Sequence, residues 1–276
     1  MEVFKTAQIV LLGLLPSLIW LWFYLKRDRH PEPRRLLVIV FLLGFLATPL
    51  IGWLELCLNN PLGTALNINV TPPSQLCQEF RLPEFFGLAN NSLTGWVAFF
   101  LIVAALEELA KFLIARFAAV PRREFDEPVD TMVYLIVAAL GFAASENVFA
   151  ALNIAQNSGL ISGASWLAAD GSLMALLVLR FVGATLLHTL AAGMLGYYLA
   201  LGYFHVIKHG RAAHHVLILG LIAATLTHAG FNLFVNLSNN LTNQIYVVAT
   251  LALLIIGMTA VFIDFKKLQR AIFVIR

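Results

Sequence analysis

The chain has 276 residues, of which 60% are apolar and 12% charged, against about 45–50% and 25% in an ordinary soluble domain. Too little polar surface remains to coat a globule of this size. Soluble, fibrous and disordered classes are therefore excluded, leaving an all-α membrane helix bundle. The formal net charge of +3 does not imply a nucleic-acid partner, because basic residues gather at the cytoplasmic ends of membrane helices.

The first apolar run, Ala7 to Leu25, is followed by Lys26, Arg27, Arg29, Arg34 and Arg35. A signal peptide has its positive charge in front and a small-residue cleavage site behind, so this run reads as a retained span. The second span covers Leu36 to Cys57, and a polar loop then extends to about Asn91. Cys57 and Cys77 are the only cysteines, and on the outer side they could pair as a loop clip. The third span runs from Thr94 to Val120 and the fourth from Thr131 to Leu152. Residues 153–171 predict a loop with a surface helix around Trp166. The run from Leu173 to Phe204 exceeds one crossing but is too short for two, which predicts a single long, tilted helix. The sixth and seventh spans are Val216 to Leu237 and Ile245 to Phe265. These seven spans divide into residues 1–93 with the outer loop, a core at 94–237, and a last span with its tail at 238–276.

Alternation of sides tests this count. One set of span ends carries thirteen basic residues and the other only Lys5 and Arg81. The basic-rich set belongs in the cytoplasm, with the amino terminus outside and the carboxyl terminus inside.

Inside the spans stand residues that a bilayer disfavours: Glu107, Glu108, Lys111 and Arg116 in the third, Glu146 in the fourth, Arg180 and His188 in the fifth, and His228 in the sixth. Six formal charges facing lipid would cost on the order of 10–20 kcal/mol, so they must face the bundle interior or pair. Counted from the cytoplasmic ends, Glu107, Glu146, His188 and His228 share one layer, roughly 18–24 Å deep. Lys111 is three and four residues from Glu108 and Glu107, and reads as a counter-ion that neutralises one carboxylate and leaves the other free. Arg180 reads as snorkelling outward or pairing with Glu146, and Arg116 as snorkelling inward. Asn232 shares a helix face with His228.

A carboxylate beside two imidazoles can activate water and support an oxyanion. The same groups could ligate zinc and leave a position for water. Paired intramembrane aspartates, His-Glu-x-x-His and Gly-x-Ser-x-Gly are absent, which removes the aspartyl, zincin and serine-hydrolase schemes.

Glu107-Glu108-Leu109-Ala110-Lys111, Gly141 to Asn147, Arg180 with His188, and His228 with Asn232 resemble, in order and spacing, the PrsW family of intramembrane proteases. The stretch Val129 to Tyr134 is similar too, and the likeness spans about Leu101 to Val235. It implies kinship with CAAX prenyl proteases and bacteriocin-processing homologues, and a helical membrane core in a bacterial plasma membrane. It also implies Glu108 or Glu107 as general base with His188 as its partner, His228 and Asn232 as oxyanion stabilisers, and Glu146 as a further catalytic or supporting carboxylate. A metal, if used, would take Glu108, Glu146, His188 and His228; a glutamate-activated water would need none. The implied partner is a membrane-anchored protein such as a single-pass anti-sigma factor. The alternatives are a CAAX-type prenyl endopeptidase and a proton- or ion-coupled transporter, the latter predicting repeats or interrupted helices.

Overall fold

Within a bilayer every backbone N–H and C=O must be satisfied inside the protein, so long apolar runs become helices. A computed structural model describes residues 2–28, 30–57, 93–158, 172–209, 214–241 and 243–270, and all their regular structure is helical. The helices are α1 (Glu2–Leu25), α2 (Arg34–Cys57), α3 (Leu93–Ala118), α4 (Asp130–Asn157), α5 (Ser172–Val182), α6 (Ala184–His209), α7 (His214–Leu241) and α8 (Gln244–Arg270). Cys77 and the segment around Trp166 lie outside the described residues, as does the side chain of Cys57.

Six apolar segments are long enough to cross a membrane: Val3–Leu25, Arg34–Glu55, Asp130–Asn157, Leu173–Phe204, His214–Asn239 and Gln244–Arg270. The expected third span is α3. Its 26 residues suffice in length, and it carries the charged residues Glu107, Glu108, Lys111 and Arg116 in its second half. Three of those charges are buried inward, while Arg116 is exposed near the helix end.

The core is built around α4, which is buried along most of its length and packs on α1, α2, α3, α5 and α6. Glycines make this crowding possible. A Cβ on Gly44 would stand 2.1 Å from the Ala138 carbonyl oxygen, and one on Gly141 would stand 2.0 Å from that of Phe41. On the same α2–α4 seam the Thr48 hydroxyl is shared between the carbonyls of Gly44 and Phe142, each at 3.2 Å. Gly13 and Gly196 make similar backbone contacts with Val148 and Met132, from α1 and α6. Small residues let membrane helices approach to this distance.

One expectation needs correction. The run from Leu173 to Phe204 is two helices, α5 and α6, broken at Gly183. The Gly183 N–H still bonds the Leu179 carbonyl at 2.8 Å, and the Gly183 carbonyl accepts from Leu187 at 2.8 Å. Just before the break the Trp20 indole donates to the Phe181 carbonyl at 2.9 Å. A donor from another helix that captures a carbonyl competes with the regular ladder, and a glycine beside it lets the axis bend.

The basic-flanked ends are tied by a second polar group. Between α1 and α2, Glu32 is buried, accepts the Tyr134 hydroxyl and shares a hydrogen bond with Asp130. Asp130 in turn accepts from the N–H groups of Asp126 at 2.9 Å and Glu127 at 2.7 Å. Burial, and then the neighbouring Asp130, push the Glu32 carboxyl up to about 9. Nearby, the exposed His30 imidazole lies 2.6 Å from Glu127, whose carboxylate raises its proton affinity.

Two measurements follow from this packing. Gly44→Ala should destabilise by about 1–3 kcal/mol, as overpacking does, and lower the melting temperature in detergent. Gly52→Ala, with no atom within 4 Å of the new methyl, should leave it unchanged. For Glu32 the folded value lies above the unfolded one, so its contribution is complete below about 4.5 and is lost as pH rises through about 9. Melting curves between those limits should decline in the wild type and flatten in Glu32→Gln.

Candidate active site

Four helices bring the intramembrane polar groups to one place. In α3 the spacing of Glu107, Glu108 and Lys111 puts all three on one inward stretch, because residues three and four apart are neighbours. Lys111 is fully buried, and its ammonium lies 2.8 Å from Glu108 Oε1, 3.2 Å from Glu107 Oε2 and 2.8 Å from His188 Nδ1. It therefore engages both carboxylates, where the sequence suggested one would be left free. Its charge also stands 4.8 Å from the centre of the Phe142 ring.

An ammonium can only donate, so His188 Nδ1 accepts and the ring proton sits on Nε2. That Nε2–H points at Glu146 Oε2, 3.0 Å away. Glu146 is held on its other side by Arg180 Nη2 at 2.8 Å. Arg180 Nε donates to the Asn147 amide oxygen, whose Nδ2 donates to the Thr185 hydroxyl at 3.0 Å. Arg180 thus pairs with Glu146, and it also reaches Asn147, which is completely buried.

The second imidazole is oriented the same way. His228 Nδ1 lies 2.8 Å from Glu108 Oε1, a carboxylate that can only accept, so this nitrogen carries the proton. Its Nε2 stands 3.8 Å from Glu107 Oε2. His188 Nδ1 is also 3.8 Å from the same oxygen, and the two rings meet edge to face with centroids 4.9 Å apart. Asn232, one turn beyond His228, is half-buried and makes no hydrogen bond to the cluster.

Glu107, Glu108, His188 and His228 offer ligand atoms that all lie within 4.8 Å of one another, and all four are buried. Two imidazoles and two carboxylates are a donor set that suits zinc. Glu108 Oε2 is buried with no hydrogen-bond partner, an unsatisfied acceptor of the kind a cation would occupy. Lys111 and Arg180 are the two cations paired with Glu107, Glu108 and Glu146. The residues present fit a divalent metal. Lys111 draws on three of the four, so it competes for Glu107 Oε2, Glu108 Oε1 and His188 Nδ1, whereas Glu108 Oε2 and His228 Nε2 stay available. Glu146, expected from the sequence among the metal ligands, is taken up by Arg180 and by the N–H side of His188.

The titratable residue that sequence reasoning passed over is Glu55, in the last turn of α2, near enough to Glu107, Glu146 and Lys111 to interact with them electrostatically. By position it belonged to the end of a span, where an acid is unremarkable. Only the signal of Gly44, Thr48 and Glu55 recurring at helical spacing could have turned it toward α4. Loss of the central cation should be costly: Lys111→Met leaves buried carboxylates unpaired, a change worth about 3–5 kcal/mol. The expected readout is a large fall in the melting temperature of the detergent-solubilised protein, well beyond that of exposed Arg116→Met.

A family profile described as PrsW family intramembrane metalloprotease matches residues 32–258. A protein named Protease PrsW from Geobacillus kaustophilus is 29% identical over 137 residues, which cover 49% of this chain and 48% of that protein. Another Protease PrsW, from Oceanobacillus iheyensis, is 26% identical over 136 residues, 49% of this chain and 50% of that one. The chain thus spans about half the length of the curated relatives it matches. No solved structure matches it.

Proposed function

The chain belongs to the PrsW family, and we propose that it is an intramembrane protease that hydrolyses a peptide bond of a membrane-anchored protein. The observation that carries this reading is the buried meeting of Glu107, Glu108, Lys111, His188 and His228 from three helices. So many desolvated ionisable groups at one depth are expensive in lipid and mark a functional centre. All of them lie within residues 94–237, which we take as the reacting core.

Glu107 is the general base in this reading. Glu108 is completely buried, with Oε1 already receiving both Lys111 and His228. Glu107 has one contact, at 3.2 Å to Lys111, and stands 3.8 Å from two imidazole nitrogens. That separation exceeds a hydrogen bond, so the Glu107 carboxylate keeps acceptor capacity for a reactant. Glu107 accepts the proton of the attacking water, and Lys111 limits the cost of the charge it holds beforehand. His228, with Nδ1 pinned by Glu108, presents Nε2 to the same space and can take that proton on toward the leaving amine. Glu146 fixes the ring orientation of His188 rather than reacting. The Asn232 amide, on the face of His228, is the donor for the developing oxyanion.

Glu108 and His228, with Glu107 and His188 when Lys111 releases them, would hold a divalent metal such as zinc, which supplies Lewis-acid polarisation. The burial of Glu107, Glu108, His188 and His228 among membrane-spanning helices favours a substrate that arrives through the bilayer, of which a single-pass anti-sigma factor is one.

Glu107→Gln preserves size and should lower kcat on a tagged single-pass substrate by about 10²–10⁴-fold, with melting temperature and KM held. Cleavage at the wild-type rate would remove Glu107 from the role of base. The same assay with a chelator separates the two modes of activating water: loss that zinc restores marks the metal, and full retention marks the carboxylate alone.

A further inference from the structure

The first helix lies ahead of the region that the family profile matches, residues 32–258, yet it makes two polar contacts with the α5–α6 segment. Trp20 Nε1 donates to the Phe181 carbonyl at 2.9 Å, and the two rings stack with centroids 5.3 Å apart. One turn on, the Tyr24 hydroxyl lies 3.1 Å from Thr189 Oγ1, whose own hydrogen bond goes to the Leu186 carbonyl at 2.7 Å. Residues four apart share a helix face, so α1 holds both sides of the break at Gly183 with one stripe. Phe181 directly follows Arg180, and Thr189 directly follows His188.

Those neighbours matter. Arg180 and His188 both bind Glu146 Oε2, at 2.8 and 3.0 Å, from opposite sides of the break. Their separation depends on how α5 and α6 join at Gly183, and glycine backbone has no side chain to fix that geometry. Something outside α5 and α6 must choose it. Trp20 and Tyr24 are both buried, and Gly13 locks α1 onto the Val148 backbone, where an added Cβ would stand 2.8 Å from its Cα. The stripe is therefore a fixed reference.

We propose that Trp20 and Tyr24 form a positioning clamp that sets how α5 and α6 join at Gly183, and through that junction places Arg180 and His188 on Glu146. This rests on the protease reading for its catalytic consequence, but the clamp itself is a property of the fold. Neither residue touches the reacting atoms; both act through the segment they hold.

Trp20→Phe keeps a ring to stack on Phe181 and removes the indole N–H. In reconstituted protein cutting a single-pass substrate, it should lower kcat about tenfold, the scale of one hydrogen bond, while KM stays within about twofold. Arg180→Gln should lower kcat further, about a hundredfold, as loss of a charged hydrogen bond does. The double variant should be no slower than Arg180→Gln alone, because Trp20 acts through Arg180. If Trp20→Phe fails to accumulate, Trp20→Tyr takes its place in the cycle.

Hydrogen exchange across residues 180–189 is read in the same proteins. Trp20→Phe and Tyr24→Phe should each speed exchange there about tenfold or more, with α3 and α7 keeping their protection. This readout needs no substrate, so a wild type that cuts nothing would count against the protease reading and leave the clamp to be judged on exchange. Unchanged exchange at 180–189 overturns the clamp, and so do kcat losses that multiply in the double variant.

Discussion

The arrangement depends on one buried ammonium. Lys111 has no exposed surface, and an unpaired charge so placed would be prohibitive in lipid. Three acceptors satisfy its three N–H bonds: Glu108, Glu107 and His188. Two come with its own helix at no extra ordering cost. The third must be brought from α6, so the lysine fixes how α3 and α6 meet. It also fixes the His188 tautomer, because an ammonium cannot accept, and that tautomer turns the ring N–H toward Glu146. From one desolvated cation follow the pairing of two helices, the protonation of an imidazole and the partner of a third carboxylate.

Such a network holds only if the backbones come close, and α4 supplies that closeness. Gly44 and Gly141 set α2 and α4 in backbone contact, which places Glu146 and Asn147 at the level of the α3 carboxylates. The polar groups are then nearly all satisfied, through Arg180, Asn147 and Thr185 in sequence. The exception at the centre is Glu108 Oε2, buried and without a partner. A fully satisfied network would be inert scaffolding, whereas an open carboxylate acceptor beside an imidazole is where chemistry has room.

The interrupted helix separates two readings of a membrane protein rich in buried acids. Interrupted helices are a mark of transporters, where the unwound backbone itself coordinates an ion and recurs in a second repeat. Here the interruption at Gly183 falls once among the described residues, and one of its carbonyls is capped by Trp20. The Phe181 carbonyl already accepts an indole N–H, so it is less open to an ion than a free carbonyl would be. The break serves side-chain placement instead, which suits a centre that must be held rather than opened.

What the sequence determined alone is what periodicity and cost enforce. Apolar run lengths defined the spans, and the i, i+3 and i, i+4 spacing of Glu107, Glu108 and Lys111 made them one inward cluster whatever the rest did. The expense of charge in lipid then required Glu146, His188 and His228 to join them. The sequence could not say which carboxylate faces which imidazole nitrogen, since that turns on helix rotation and on angstrom-scale contacts between segments far apart in the chain. It therefore grouped Glu146 with the metal ligands, where the fold groups Glu107. It also read Leu173 to Phe204 as one rod, because the donor that accompanies the bend is an indole 161 residues away. Local spacing is encoded locally; the register between helices exists only once they have packed.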